Sequence, residues 1–361
     1  QKNIFSAVGY EFNLNSPKQL AKALFEDLGL PAKKKTKTGY STNAEVLESL
    51  RNAHPAVAML LEYRMLAKLK STYCDGLLKV IGSDGRIHTS FNQTETRTGR
   101  ISSTEPNLQN IPVRQRLGRE LRRFFHAQDG WVLCDADYSQ IELRVLAHMA
   151  NDKNMIAAFN TGTDIHTVTA SQVFGIPEDM VTPLMRSRAK AVNFGIVYGI
   201  GPHSLSEDIG VSYYEAKKYI EQYMAHYSGV AQFMENMVDI AKQKGYAETM
   251  FARRRPLPEL KSSNRAMRSF GERVARNMPI QGTAADIIKI AMVRVRNRLI
   301  KENMLSRLIL QVHDELIIEA PEAEAEKAAA LLKEEMESAV SMSVKLTADV
   351  NIGKTWYDAK G

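Results

Sequence analysis

Trp131-Val132-Leu133-Cys134-Asp135-Ala136-Asp137-Tyr138-Ser139-Gln140-Ile141-Glu142-Leu143-Arg144 turns from strand to helix within a few residues. Trp131–Cys134 reads as a short apolar strand that runs out at Asp135, Ala136 and Asp137, and a helical pattern follows from about residue 140. A carboxylate placed where a strand stops and a helix begins is held by rigid backbone, which suits Asp137 to precise chemistry. The same stretch carries a competing local signal. Ser139-Gln140-Ile141-Glu142 has the pattern of a capping box, with Glu142 at the third helical position.

Outward from this junction the pattern is mixed, then helical, then mixed again. Residues 140–245 are nearly all helical, with a capping-box start at Ser212-x-x-Glu215. From about Ala284 the spacing predicts a long helix to Glu302, a strand pair, a Glu/Ala-rich helix over 322–340 and a final strand near 345–350. Upstream, residues 83–138 hold strand-like stretches on either side of a turn at Gly82-Ser83-Asp84-Gly85. Residues 1–82 read as helical, one helix opening at Ser16-Pro17 and another running from about Asn43 through Pro55 to Val80. Between them Lys33-Lys34-Lys35-Thr36-Lys37-Thr38-Gly39 is a basic loop, whose plain reading is a solvated turn. The order predicts an α+β protein in which a sheet-bearing lobe is interrupted by a helical insertion.

With 361 residues, 44% hydrophobic and 25% charged, the chain has the composition of a soluble globular protein with room for two or three lobes. Its formal charge of +7 and pI near 9.2 suit an anionic partner, a weak pointer taken alone. Cys74 and Cys134 stand far apart in no metal-ligand spacing, so a disulfide framework is not expected and a reducing compartment is. No 18-residue apolar run predicts a membrane span. The chain opens on Gln1 with no hydrophobic signal core, which reads as a piece cut from a longer protein.

Two further patterns carry chemistry. Arg307–Val312 and Glu315–Glu319 are strand-like runs separated by His313-Asp314, a hairpin that puts Asp314 at an exposed tip. Aspartate is also a common turn residue for reasons of its own backbone bonding. If Asp137 and Asp314 converge, two strand-end carboxylates suit hard divalent cations such as magnesium, as phosphoryl transfer requires. The second pattern is a ladder in which Arg186, Lys190, Phe194 and Tyr198 recur every fourth residue and share one helical stripe roughly 18 Å long. Cations at one end and aromatic faces at the other match a nucleoside triphosphate. An amphipathic helix burying the two rings in a core would give the same spacing.

Taken together, these segments resemble the family A DNA polymerases. The resemblance covers nearly the whole chain. It rests on Thr98-Gly99-Arg100-Ile101-Ser102-Ser103, Pro106–Pro112, Asp137–Arg144, the 186–199 ladder, Pro279–Asp286 and Gln311-Val312-His313-Asp314-Glu315, in the family's order and spacing. It implies a right-hand architecture with an antiparallel palm sheet, helical fingers and a partial helical thumb. Residues 1–82 would be the distal thumb, 83–142 and 284–361 the palm, and 143–283 the fingers. It implies template-directed DNA synthesis in replication and repair by a monomeric enzyme of the cytoplasm and nucleoid, acting on primer-template DNA and dNTPs, with no membrane partner. Two magnesium ions, which manganese can replace, would be held by Asp137, Asp314 and the backbone carbonyl of Tyr138. Arg186, Lys190 and His166 would bind triphosphate, with Phe194, Tyr198, Gln140 and Glu142 around the base and sugar. Lys190 would also protonate the leaving pyrophosphate, or serve purely as an electrostatic clamp. Arg100, Asn110, Arg273, Asn277, Gln281 and His313 would face DNA, where Arg and Gln donors in the minor groove test pair geometry without reading sequence. Structural hydrogen bonds to backbone are the plain alternative for those side chains.

Departures from the family pattern are small. Pro256 follows Arg253-Arg254-Arg255 where an aromatic residue is often expected, and Glu95 and Arg97 make their stretch more charged. Three rival readings share some of these features. A single-subunit RNA polymerase shares the aspartates and the ladder, but Glu142 opposite Tyr198 argues for ribose exclusion. A metal-dependent nuclease has no use for the triphosphate ladder. A non-catalytic DNA-binding scaffold has no need of both Asp137 and Asp314.

Overall fold

The computed structural model describes residues 1–32, 35–36, 39–113 and 116–360. Of the basic run, Lys33, Lys34, Lys37 and Thr38 lie outside the described residues, while Lys35–Thr36 pairs antiparallel with Gly39–Tyr40. The chain divides into two compact units, Gln1–His88 and Thr89–Gly361. Among the described residues no helix is long and apolar enough to cross a membrane.

The first unit is helical. Its main helices are Lys2–Val8, Pro17–Ala21, Ala44–Ser49 and Pro55–Lys68. Ser16 and Asn43 cap two of them by accepting from Gln19 N and Val46 N. Ile4, Leu20, Leu24, Leu47 and Leu60 are buried together as a core of its own.

The second unit is α+β and is built around a four-stranded antiparallel sheet, in the spatial order 348–353, 131–138, 315–321, 307–312. Its central strand, Trp131–Tyr138, runs four residues further than the apolar stretch alone suggests, because alternation continues through the acids. Val132, Cys134, Ala136 and Tyr138 join the core, which leaves Asp135 and Asp137 on the opposite face. Helix Ala325–Glu337 lies behind the sheet, and the Tyr138 hydroxyl donates to the Met336 carbonyl at 2.7 Å. The last strand is Ala348–Gly353, later than expected, and the helix expected over 322–340 narrows to 325–337 behind a short 3-10 turn.

Two other boundaries differ from the sequence reading. The helix expected from Ala284 begins at Arg265 and runs 37 residues to Lys301, with Pro279 inside it. A proline there removes one intrahelical bond, and the buried residues on both sides of it supply the packing that keeps the helix continuous. It crosses the expected 283/284 division without a break. The second difference concerns the Ser139–Glu142 capping box, which does not form. Gln140 occupies the cap with φ +55°, in the left-handed region, and makes no side-chain capping bond. By contrast the Ser212–Glu215 box forms in full.

Candidate active site

The hairpin brings its acid to the end of the central strand. His313 takes φ +56°, the positive value that tight two-residue hairpins favour at the start of the turn. The Tyr138 N–H donates to the Asp314 carbonyl at 3.1 Å, and Asp137 stands opposite Glu315 in the ladder. Asp137 and Asp314 therefore line one cavity of about 620 Å³. Asp314 is not at an exposed tip as the turn suggested. It is half-buried, and burial together with the Asp137 charge pushes its carboxyl well above the usual carboxylate range.

The opposite wall is the helix Pro183–Val197, capped by Thr182, with Tyr198 one residue past its end. Ala189, Val192, Asn193, Ile196 and Val197 face the core, while Arg186, Lys190, Phe194 and Tyr198 line the cavity. The stripe is thus a cavity wall and not a core face. The Arg186 Nε donates to Asp164 at 2.5 Å, and Asp164 also caps the helix Ile165–Phe174 that carries His166. Burial alone would raise the Asp164 carboxyl, but the bonds from Arg186, Thr167 and His166 N hold it at about 2. His166 is 2% exposed, with its Nδ1 3.1 Å from Asn193 Nδ2 and its ring 5.8 Å from that of Phe194. Burial, reinforced by Arg186 and Lys190 and opposed by Asp164, lowers its pKa to about 4.

Glu142 sits in the first turn of Ile141–Ala150, a helix buried from Ile141 to Ala147, and so lies deep in the cavity rather than at a surface cap. Its Oε1 salt-bridges Arg100, from 42 residues upstream. Burial raises its carboxyl, while Arg100 and the Tyr198 hydroxyl pull the other way, and the reciprocal effects of burial and Glu142 push Tyr198 up to about 12. The Tyr198 contact is loose: among the described residues Glu142 Oε2 is buried without a close partner. Arg100 is itself set by its neighbour. Gly99 has φ +82°, its carbonyl accepts from Lys289 Nζ at 2.8 Å, and a side chain on it would meet Arg253 at 2.5 Å.

The remaining expected residues divide. Gln140, Arg100 and His313 line the same cavity, and Tyr138 joins them there. Arg273 lines a separate cavity of about 490 Å³ at the aromatic end of the ladder. Asn277 donates to the Tyr198 carbonyl at 2.9 Å, tying that end to the long helix, and its Oδ1 is buried without a close partner among the described residues. Gln281 is half-buried on the same helix, and Asn110 is exposed in a short 3-10 turn. Neither lines these cavities. Pro256 lies in an exposed ladder opposite Tyr246.

Sequence reasoning missed several members. Gln109 Nε2 donates to both the carbonyl and Oε1 of Gln311 at 3.1 Å, and Gln311 in turn bonds the His313 carbonyl, bracing the hairpin. Asp135 shares the face of Asp137 by strand alternation, a signal present in the sequence. Burial and the neighbouring Glu315 raise the Asp135 carboxyl strongly. Burial alone would also raise Glu315, but the bond from Asp135 and the Lys360 ammonium hold it low.

The acids suit a hard divalent cation. Asp137 Oδ1 is buried with no hydrogen-bond partner among the described residues, Asp314 is destabilised as an anion by Asp137, and both donors are oxygen. Among the described residues no three His, Cys, Asp or Glu side chains converge as a complete cage.

Residues 1–358 match the model of DNA polymerase family A. The chain belongs to that family. DNA polymerase I of Geobacillus stearothermophilus is 54% identical over 362 residues, and the thermostable DNA polymerase I of Thermus aquaticus is 51% identical over 363. Each is matched by all of this chain, which spans only 41% and 43% of their respective lengths. This family A chain also superposes on the POL domain of Pol1 from M. smegmatis in complex with DNA primer-template and dNTP. The TM-score is 0.95 and the identity 47%, covering 100% of this chain and 64% of that one. Family A polymerases are metal-dependent, in keeping with the oxygen donors at the sheet end.

Proposed function

We propose that this chain is the catalytic portion of a template-directed DNA polymerase, adding dNTPs to a primer 3′-hydroxyl with release of pyrophosphate. The observation that carries the reading is one cavity with two unlike walls. Asp137 and Asp314 stand on the sheet side, and Arg186, Lys190, Phe194 and Tyr198 stand on the helix side. Residues 83–142 and 284–361 act as palm, 143–283 as fingers and 1–82 as distal thumb. Gap filling in replication and repair, by a monomer working on DNA in the cytoplasm and nucleoid, is the corresponding biological role.

Asp137, Asp314 and the Tyr138 carbonyl would hold two magnesium ions, replaceable by manganese. When bound, these would supply Lewis acidity that lowers the pKa of the primer hydroxyl and positive charge for the leaving pyrophosphate. Arg186 and Lys190 supply fixed positive charge to the triphosphate, and Lys190 hands a proton to the leaving group. His166 contributes a hydrogen bond without a charge. Asn193 donates to its Nδ1, in the amide orientation the network favours, so the neutral ring carries its proton on Nε2. Phe194, Tyr198 and Gln140 pack around base and sugar, and Glu142, held by Arg100, fills the space beside C2′. Arg100, Asn110, Arg273, Asn277, Gln281 and His313 line the path of the primer-template.

Extension of an end-labelled primer with dNTPs and magnesium, with and without template, tests the proposal. Growth that follows the template sequence is expected. Template-independent growth, or shortening of the primer alone, would point instead to a terminal transferase or a nuclease.

A further inference from the structure

Lys360 closes the short C-terminal helix Trp356–Lys360 and reaches the acidic end of the sheet. Its Nζ lies 2.6 Å from Glu315 Oε2, 2.8 Å from Asp137 Oδ2 and 3.9 Å from Asp135 Oδ1. The contact is built rather than incidental. The other oxygen of Glu315 accepts from the Trp356 indole at 2.8 Å, and Trp356 lies under the Arg122 guanidinium, 4.1 Å from its ring centre. Lys360 lines a second cavity, of about 300 Å³, which also reaches Asp137 and Asp314.

One oxygen of Asp137 is therefore occupied by an ammonium while the other is buried without a partner among the described residues. A divalent cation arriving at that free oxygen meets a positive charge already resting on the same carboxylate. The ladder cations line the far wall and contact neither oxygen. We propose that Lys360 is a resident counter-charge of the metal site. It weakens the hold of the nucleotide-free protein on divalent cations, so that a bound triphosphate must add its negative charge before the metals settle. This rests on the metal-site reading of Asp137 and Asp314 given above. It fits the lack of a complete protein cage among the described residues, since an incomplete shell relies on substrate phosphates.

The test is a titration of the intact chain with Mn²⁺ alone, without DNA or nucleotide, followed by electron paramagnetic resonance. Lys360→Met and Lys360→Gln should each lower the Mn²⁺ Kd about tenfold, the scale of one unit charge acting on a nearby divalent ion in a well-solvated site. Lys360→Arg, which keeps the charge, should stay within about twofold of the parent, because charge and not shape sets the effect. Asp137→Asn in the parent background should weaken binding at least about tenfold if Asp137 is a ligand. An unchanged or higher Kd in both uncharged variants overturns the inference, as does a Lys360→Arg variant that binds as tightly as Lys360→Met. In either case, binding that still depends on Asp137 leaves the metal-site reading standing. Binding that Asp137→Asn does not weaken overturns both.

Discussion

The sheet end and the ladder helix face each other across one cavity, yet they treat charge in opposite ways. At the sheet end Asp135, Asp137, Asp314 and Glu315 crowd four carboxyl groups against rigid backbone, and Lys360 is drawn in among them. On the helix Arg186 and Lys190 stand largely in solvent, Arg186 bonded to Asp164 and both open to the cavity. Burial and like charge work against the ionised forms of Asp135 and Asp314, while the bond from Asp135 and the Lys360 ammonium favour that of Glu315. Exposed cations cost little and add little. On the proposed reading, the acidic wall is where the fold carries an electrostatic cost that a ligand would relieve, and the cationic wall is where a ligand would be held at small expense to stability.

Removing the crowded acids should break the comparison most sharply. Asp137→Ala and Asp314→Ala should each lower primer extension by at least about a thousandfold, since two-metal chemistry fails without either anchoring carboxylate. Primer-template affinity should stay within about threefold, because it is spread over many phosphate contacts. Asp314→Ala should also leave the melting temperature unchanged or raise it, because it removes the cost of burying that carboxylate and, second, its repulsion from Asp137. Near-normal extension by either variant would show that the acids do not hold the metals.

The aromatic end of the ladder should yield the next largest effect. With no capping box at Ser139, Glu142 has no cap to lose, and its carboxylate is committed to Arg100 with Tyr198 beside it. A ribose 2′-hydroxyl would have to displace that arrangement and leave a buried charge unsatisfied. The cost exceeds the 1–3 kcal/mol typical of a neutral group, which amounts to a discrimination of about a hundredfold or more. Glu142→Ala should therefore raise the relative kcat/KM for ribonucleotides by about that factor. A variant that only melts earlier would return Glu142 to a structural role and reopen the RNA-polymerase reading.

Phe194 should give a smaller, more selective change. It is half-buried beside His166 and lines both the main cavity and the one shared with Arg273. In Phe194→Tyr the new hydroxyl would supply a polar contact that a 3′-deoxy nucleotide lacks. One net hydrogen bond of up to about 1.5 kcal/mol corresponds to roughly tenfold better dideoxynucleotide incorporation. Use of normal dNTPs should barely change. Equal terminator sensitivity in the two proteins would mean that the ladder does not point its aromatic end at the sugar.

What the sequence revealed about these walls follows the range over which each interaction acts. The strand-to-helix junction, the hairpin, the ladder stripe and the Ser212 box depend on residues within a turn or two of each other, and periodicity reports them. The Ser139–Glu142 box satisfied the same local pattern and failed, because Gln140 adopts φ +55° and Arg100 claims the carboxylate from 42 residues away. Lys360 meets Glu315 and Asp137 only through sheet register and the docking of the last helix, 45 and 223 positions apart in sequence. The long helix crosses Pro279 because its buried residues on both sides outweigh a local breaker, a balance that no window around the proline contains. Asp314 was legible as a turn residue but not as a half-buried one, since the hairpin packs against the end of the strand Trp131–Tyr138, where the Tyr138 N–H donates to its carbonyl.

The smallest expected effect tests the cationic wall through its one buried titrating member. His166 is held neutral first by burial and then by the positive charges of Arg186 and Lys190, against the opposing pull of Asp164. Its folded pKa of about 4 lies below the unperturbed value near 6.5. Between those values the unfolded chain binds the proton and the folded chain does not, so this contribution to stability falls as pH drops through that window. Above about pH 6.5 it is constant. Going from pH 7 to pH 5 should cost about 2 kcal/mol of unfolding free energy through this residue alone. His166→Gln keeps an acceptor for Asn193 and has nothing to titrate. The parent should therefore lose about 2 kcal/mol more than the variant over that interval, measured by urea denaturation at both pH values. A parent-minus-variant difference that does not move with pH would mean that the ring is not held neutral by its surroundings. The role of His166 as an uncharged N–H donor to the triphosphate would then have to be given up, while the charged pair Arg186 and Lys190 would keep theirs.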